Sequence, residues 1–71
     1  MKTINYYITI TDEETGIETI LTNPADESAA RFTASRWKAT LEMKNLSVKP
    51  YNNGVEYRRL MTAQSKRHKK R

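Results

Sequence analysis

Strict alternation of apolar and polar side chains near the N-terminus constrains the fold of this chain more than any other sequence feature. Over residues 3–11 every second side chain is apolar, and Asn5, Tyr7 and Thr9 fall on the other side. The apolar side consists of Ile4, Tyr6, Ile8 and Ile10. A period of two residues is typical of a strand that buries one face. Residues 3–11 therefore predict a half-buried β-strand.

A second strand is predicted directly after the first. The polar run over residues 12–16 ends at Gly16, a residue that adopts positive φ without strain. Residues 17–22 then alternate again and are rich in β-branched side chains, which suit a pleated surface. The two segments predict an antiparallel hairpin with a polar turn.

A single helix is predicted over residues 25–44. Asn23 before Pro24 is typical of a helix start, because the Asn side chain caps a first-turn N–H and proline suits the first helical position. The predicted solvent stripe carries Glu27, Ser28, Arg31, Ser35, Lys38 and Glu42. The predicted core seam is Ala30, Ala34, Trp37 and Leu41, widened by Ala29, Phe32 and Met43.

The segment after the helix allows two interpretations. Residues 46–49 alternate up to Pro50, and Asn53 with Gly54 is the preferred pair for a two-residue hairpin turn. This pattern favours a second hairpin, with its fourth strand starting at Val55. The alternative is a second helix over residues 55–66, because Tyr57 and Met61 are four residues apart and so are Leu60 and Gln64. We favour the strand.

The elements together predict an α+β fold. Its order is ββαββ, with one antiparallel sheet and one helix packed on one face. A length of 71 residues is enough for a single domain, which we expect over residues 1–63. Residues 64–71 are expected to form a disordered basic tail, because they offer nothing apolar to bury and their charges repel one another.

Charge is distributed unevenly along the chain. Residues 1–30 hold one basic and six acidic side chains, whereas residues 31–71 hold twelve basic and two acidic ones. Such asymmetry orients a molecule toward a polyanion. The absence of cysteine excludes disulfides and thiolate zinc sites, and no apolar run is long enough to span a membrane. We therefore expect an intracellular protein, cytoplasmic or nucleoid-associated, with no membrane partner.

Catalytic and metal-binding chemistry finds little support in the sequence. His68 is the only histidine, and it lies among like charges in the predicted tail. The acidic run at residues 12–14 lacks the spaced ligands of a calcium loop. Gly16 and Gly54 stand alone and form no phosphate-binding loop. We expect no enzymatic activity, no metal and no cofactor.

Nucleic-acid binding is the function that the charges favour, with DNA slightly preferred over RNA. Cationic side chains that neutralise phosphates release condensed counterions. We expect phosphate contacts from a basic sheet face and from the tail. Tyr7 and Tyr51 are also expected on the exposed face, where cross-strand packing is favoured over stacking on bases. The candidate site residues are Lys49, Tyr51, Arg58, Arg59, Lys66, Arg67, Lys69, Lys70 and Arg71.

A protein-binding accessory module is the alternative function. An adaptor or inhibitor would offer a sheet edge, or the acidic N-terminal hairpin, to one protein partner. Open strand edges also pair between copies of a chain. We therefore expect a monomer or a weak homodimer.

Overall fold

The computed structural model describes residues 4–68 and contains three strands and two helices. The side chains of residues 67 and 68 are not described. The elements, in chain order, are β1 (Tyr6–Thr11), β2 (Glu18–Ile20), α1 (Glu27–Thr40), β3 (Leu46–Pro50) and α2 (Val55–His68). The mixed α+β class is confirmed, and the observed order is ββαβα.

The first hairpin is confirmed. Strands β1 and β2 pair antiparallel, with Ile10 opposite Thr19. The Asp12 side chain accepts hydrogen bonds from the backbone N–H groups of Glu14 and Thr15, at 2.8 and 3.2 Å, and thereby fixes the turn. Gly16 has φ +73°, the left-handed conformation that the sequence predicts for it.

Helix α1 is shorter at both ends than the predicted helix over residues 25–44. Ala25 still belongs to the sheet, because its backbone exchanges hydrogen bonds of 2.7 and 2.8 Å with Tyr6. Asp26 is therefore the N-cap residue, and the prediction of a helix start at Asn23 is wrong. At the other end Leu41 is the C-cap residue, and Glu42 follows with a positive φ of 54° that ends the helix.

The three strands form one antiparallel sheet in the order β2-β1-β3. Helix α1 carries the chain past β1 to its far side, where β3 pairs with Tyr6 opposite Pro50 and Ile10 opposite Leu46. The acidic β1–β2 turn and the start of α2 therefore lie at opposite ends of β1.

The predicted fourth strand is wrong, because the segment from Val55 onward is helix α2. Asn52 and Gly54 take positive φ values of 51° and 78°, but they turn the chain into a helix and not into a hairpin. The first helical hydrogen bond runs from Arg58 N–H to the Gly54 carbonyl at 2.9 Å. The Asn53 side chain also accepts a bond from Val55 N–H at 3.4 Å, as a capping residue does.

The sheet is covered by a helix on each face, so the prediction of one helix on one face is also wrong. On the α1 side the core consists of Ile8, Ala30 and Ala34, with Tyr6, Trp37, Leu46 and Val48 packed around it. On the α2 side it consists of Tyr7, Ile20 and Leu60, with Tyr51 and Tyr57 packed around it. Strand β1 therefore buries side chains on both faces and is not half-buried.

Helix α1 buries a narrower stripe than the sequence predicts. Ala30 and Ala34 are buried and Trp37 packs beside them, as predicted. Phe32 and Leu41, however, are 65% and 61% exposed. Phe32 lies two residues from both buried alanines, which places it about 200° around the helix from each of them.

The basic segment at the C-terminus begins inside a helix. Helix α2 continues through His68, so residues 64–68 of the segment that we expected to be disordered are helical. Residues 69–71 lie outside the described part of the chain. No helix within residues 4–68 has the length and apolar character needed to cross a membrane.

Candidate nucleic-acid interface

Helix α2 is fixed to the sheet by its inner face. Leu60 packs with Tyr7 and Ile20 in one core cluster. One turn later the Gln64 side chain bonds the backbone of Ile20 in both directions: Ile20 N–H donates to Oε1 at 2.9 Å, and Nε2 donates to the Ile20 carbonyl at 3.4 Å. The Leu21 N–H donates to the Ile8 carbonyl, so the backbone groups of Leu21 point toward β1. Because backbone groups alternate along a strand, those of Ile20 point away from β1. Gln64 therefore covers the open edge of β2.

Three tyrosine rings join the start of α2 to the sheet. Tyr57 stands edge-on to Tyr7 and to Tyr51, with ring centroids 4.9 and 5.2 Å apart. A Cβ atom at Gly54 would lie 2.6 Å from the Tyr51 ring, so only glycine fits this close approach. Tyr51 is a member of this cluster and not a ring on a free sheet face.

Tyr7 is fully buried, so the prediction that it lies on an exposed sheet face is wrong. Its exposed fraction is 0% because α2 covers that face. Its hydroxyl has no hydrogen-bond partner within the described part of the chain. Burial raises the pKa of this phenol above its ordinary value and favours the neutral form.

Lys49 is engaged in an ion pair within the protein. Its Nζ lies 2.7 Å from Oε2 of Glu18, across β1, and the same oxygen accepts a 2.7 Å hydrogen bond from the buried Thr9 hydroxyl. Burial alone would raise the pKa of Glu18, but the bonds from Lys49 and Thr9 outweigh it and hold that pKa below its ordinary value. The bond to Glu18 raises the pKa of Lys49. The charge of Lys49 is thus balanced before any ligand arrives.

The two arginines of the first turns of α2 differ in their surroundings. Arg59 donates to both carboxylate oxygens of Glu56, at 2.9 and 2.7 Å, and this pairing raises the pKa of the guanidinium. Arg58 is exposed, and its polar contact is a 3.4 Å bond to the carbonyl of Asn53. Arg59 therefore neutralises Glu56 and leaves Arg58 with its full charge.

The outward face of α2 is a polar and basic stripe. Arg58, Thr62 and Ser65 are exposed and follow one another at spacings of four and three residues, so they share one side of the helix. Lys66 is also exposed and lies four residues after Thr62. We call the set Arg58, Thr62, Ser65 and Lys66 the outer stripe of α2.

The predicted site residues do not lie together in the structure. Arg58, Arg59, Lys66 and Arg67 share one helix, whereas Lys49 and Tyr51 are held on the sheet side of α2. Lys69, Lys70 and Arg71 lie outside the described residues. Thr62 and Ser65, the other members of the outer stripe, were not among the predicted residues, because they align with Arg58 only when residues 55–66 are given the helical period.

Other candidate sites offer little within the described residues. Among the described side chains of residues 4–66, no group of three Asp or Glu residues is placed to hold a metal ion. A surface depression of about 380 Å³ lies beside the β1–β2 turn and includes Ile10, Ile17 and Lys44 in its lining. None of the predicted site residues lines this depression.

Comparison of the chain with protein-family models, with curated proteins and with solved structures gave no match.

Proposed function

We propose that the protein is a non-enzymatic nucleic-acid-binding protein whose contact surface is the outer stripe of α2. The observation that supports this best is the exposure of Arg58 and Lys66 on one helix whose only acidic residue, Glu56, is already paired with Arg59. Unbalanced cations on a rigid element meet phosphates without first breaking an ion pair.

The placement of the acidic side chains supports the same proposal. The carboxylates of residues 12–14 lie in the β1–β2 turn, at the end of β1 opposite the start of α2. Glu18 is paired with Lys49, and Glu27 is paired with Arg31 on the other face of the sheet. The repulsion that the turn carboxylates exert on a polyanion therefore acts far from Arg58 and is screened by salt, and the charge of Glu18 is balanced by Lys49.

The proposal assigns phosphate contacts to α2 and removes them from the sheet face. Lys49 and Tyr51 are given structural roles, because one balances Glu18 and the other supports the start of the helix. In sequence the three cations at positions 69–71 follow α2 directly, and we propose that they add to the same contact surface.

The experiment that tests the proposal compares two double variants that each remove two positive charges. Arg58→Ala with Lys66→Ala alters the outer stripe, and Arg36→Ala with Lys38→Ala alters exposed positions of α1 on the other face. Fluorescence anisotropy with an oligonucleotide in dilute buffer should show about tenfold weaker binding for the first variant and little change for the second. Equal effects would show that net charge alone drives binding, and no binding by the intact protein would refute the proposal.

A second candidate function is favoured by the outer edge of β3. In the register with β1, the backbones of Ser47 and Lys49 point toward β1, so those of Leu46 and Val48 point outward. Within residues 4–68 those outward groups form no hydrogen bond. Such an edge accepts an added strand from a protein partner. Recovery of one protein in constant proportion after nuclease treatment would favour this candidate.

A further inference from the structure

The outer stripe of α2 carries short polar side chains between its cations. Thr62 lies two residues before Gln64, which places it about 200° around the helix from the side chain that bonds the sheet. Thr62 therefore occupies the part of α2 that is farthest from the sheet, and Ser65 lies about 60° around the helix from it, at the side of the same stripe. Arg58 lies toward the N-terminal end of this stripe and Lys66 toward the C-terminal end. Long cationic side chains at the two ends can reach phosphates, and the short hydroxyl side chains between them leave room for the base edges of a groove. This arrangement suits a groove that is flanked by phosphates.

The outer stripe has no aromatic ring on which a base could stack. Among residues 55–66, the part of α2 with described side chains, Tyr57 is the only aromatic residue, and its ring packs against Tyr7 and Tyr51 on the sheet side. Proteins that hold single strands rely on stacking of bases on exposed aromatic side chains. The stripe therefore favours a duplex over a single strand.

The shape of α2 distinguishes between the two kinds of duplex. Helix α2 is an outer layer, with the sheet behind it and α1 on the far side of the sheet. A helix of about 10 to 12 Å diameter enters the major groove of B-form DNA, which is about 12 Å wide. The major groove of A-form RNA is deep and too narrow for side chains to read. The outward face of α2 thus fits duplex DNA.

We infer that α2 lies in the major groove of duplex DNA, an inference that rests on the proposed nucleic-acid binding. Arg58 and Lys66 contact phosphates, and Thr62 with Ser65 faces the base edges. A hydroxyl both donates and accepts hydrogen bonds, so these two side chains read bases with little selectivity. The expected partner is duplex DNA with a modest sequence preference.

The test uses the full chain and four probes of one sequence: duplex DNA, duplex RNA, single-stranded DNA, and duplex DNA whose cytosines carry glucosylated hydroxymethyl groups. The sugars of the fourth probe fill the major groove and leave the phosphates in place. At one fixed salt concentration, binding to plain duplex DNA should be about tenfold tighter than to each of the other three.

A matched pair of variants tests the helix face itself. Thr62→Glu places a carboxylate in the outer stripe, and Ser35→Glu makes the same charge change at an exposed position of α1. Thr62→Glu should weaken binding to duplex DNA about tenfold more than Ser35→Glu does. Circular dichroism of both variants verifies that the helices are retained.

The outcomes separate major-groove binding from nucleic-acid binding in general. Equal binding to all four probes, preference for RNA or for the single strand, or equal effects of the two glutamates would overturn major-groove binding and leave nucleic-acid binding in place. Failure to bind any probe in dilute buffer would overturn both. The expected order of affinities, together with the larger loss for Thr62→Glu, supports both.

Discussion

Gln64 stabilises the interface between α2 and the sheet because its amide mimics a neighbouring strand. It accepts a hydrogen bond from Ile20 N–H and donates one to the Ile20 carbonyl, at the open edge of β2. Ile20 is itself buried, so loss of these bonds would leave two backbone groups poorly hydrated. The side chain also blocks that edge against another strand.

Replacement of Gln64 is therefore expected to be costly. Gln64→Ala should lower the free energy of unfolding by about 1 to 2 kcal/mol, as measured by urea denaturation. The control is Thr62→Ala on the exposed side of the same helix, which should change stability by less than about 0.5 kcal/mol. Equal stability of the two variants would contradict the role assigned to Gln64.

The ion pair between Glu18 and Lys49 makes folding depend on pH. The folded-state pKa of Glu18 is lowered, so the pair stabilises the protein above the ordinary value of 4.5, and this contribution is lost as pH falls through the folded-state pKa. The folded-state pKa of Lys49 is raised, so its contribution is present below 10.5 and is lost as pH rises through the folded-state value.

Glu18→Gln should remove the acid-side dependence that comes from this pair. We expect the variant to be less stable than the unaltered protein by about 1 kcal/mol at pH 7, and the difference to shrink as pH falls below 4.5. Urea denaturation at a series of pH values measures it, with Glu14→Gln in the exposed β1–β2 turn as the control. A difference that is independent of pH would argue against the assigned pairing.

Among the elements, the first hairpin was predictable because each local signal indicates the same structure. The alternation of β1, the polar turn and Gly16 agree with one another, and the structure shows the same hairpin. The existence of α1 and the burial of Ala30, Ala34 and Trp37 were predictable for the same reason, whereas Leu41 of the predicted seam is exposed. The start of α1 was not predictable, because Asn23 and Pro24 have the chemistry of a cap, whereas pairing of Ala25 with Tyr6 depends on a contact distant in sequence.

The turn signal at Asn53 and Gly54 did not predict that the segment after it is a helix and not a strand. Asn53 with Gly54 suits a hairpin turn, yet positive φ at Gly54 equally suits a chain that ends a strand and starts a helix. Residues 55–61 fit both periods. The deciding contacts are tertiary, because Tyr57 and Leu60 cover Tyr7 on a sheet face that would otherwise be bare.

The neighbours of Arg58 in the candidate site depend on whether residues 55–61 form a strand or a helix. Read as a strand, residues 55–61 place Arg58 on a sheet face beside Lys49 and Tyr51. As part of a helix, Arg58 shares a face with Thr62 and Lys66 and lies apart from the Glu18–Lys49 pair. The cations themselves were evident from the sequence, but their neighbours were not, since neighbours depend on the period of the element.

At the scale of the whole molecule, charge and architecture support a single orientation toward a polyanion. The sheet separates α1, which carries Glu27 and three basic residues, from α2, which carries Glu56 and four basic residues and is followed in sequence by three more cations. A polyanion attracted by the net charge of +5 would meet the outer stripe of α2. We therefore expect that removal of cations from α2 reduces the salt dependence of the affinity, and that removal of cations from α1 does not.

The salt dependence of binding tests this account most directly. The dissociation constant of the full chain on one duplex DNA is measured over a range of salt concentrations, together with the Arg58→Ala, Lys66→Ala double variant and the Arg36→Ala, Lys38→Ala double variant. The account predicts that the slope of log affinity against log salt becomes shallower by about 1.8 in the first variant, which is about 0.9 for each phosphate that the variant no longer neutralises, and stays unchanged in the second. A slope that stays the same in the first variant, or that changes equally in both, would contradict binding through α2.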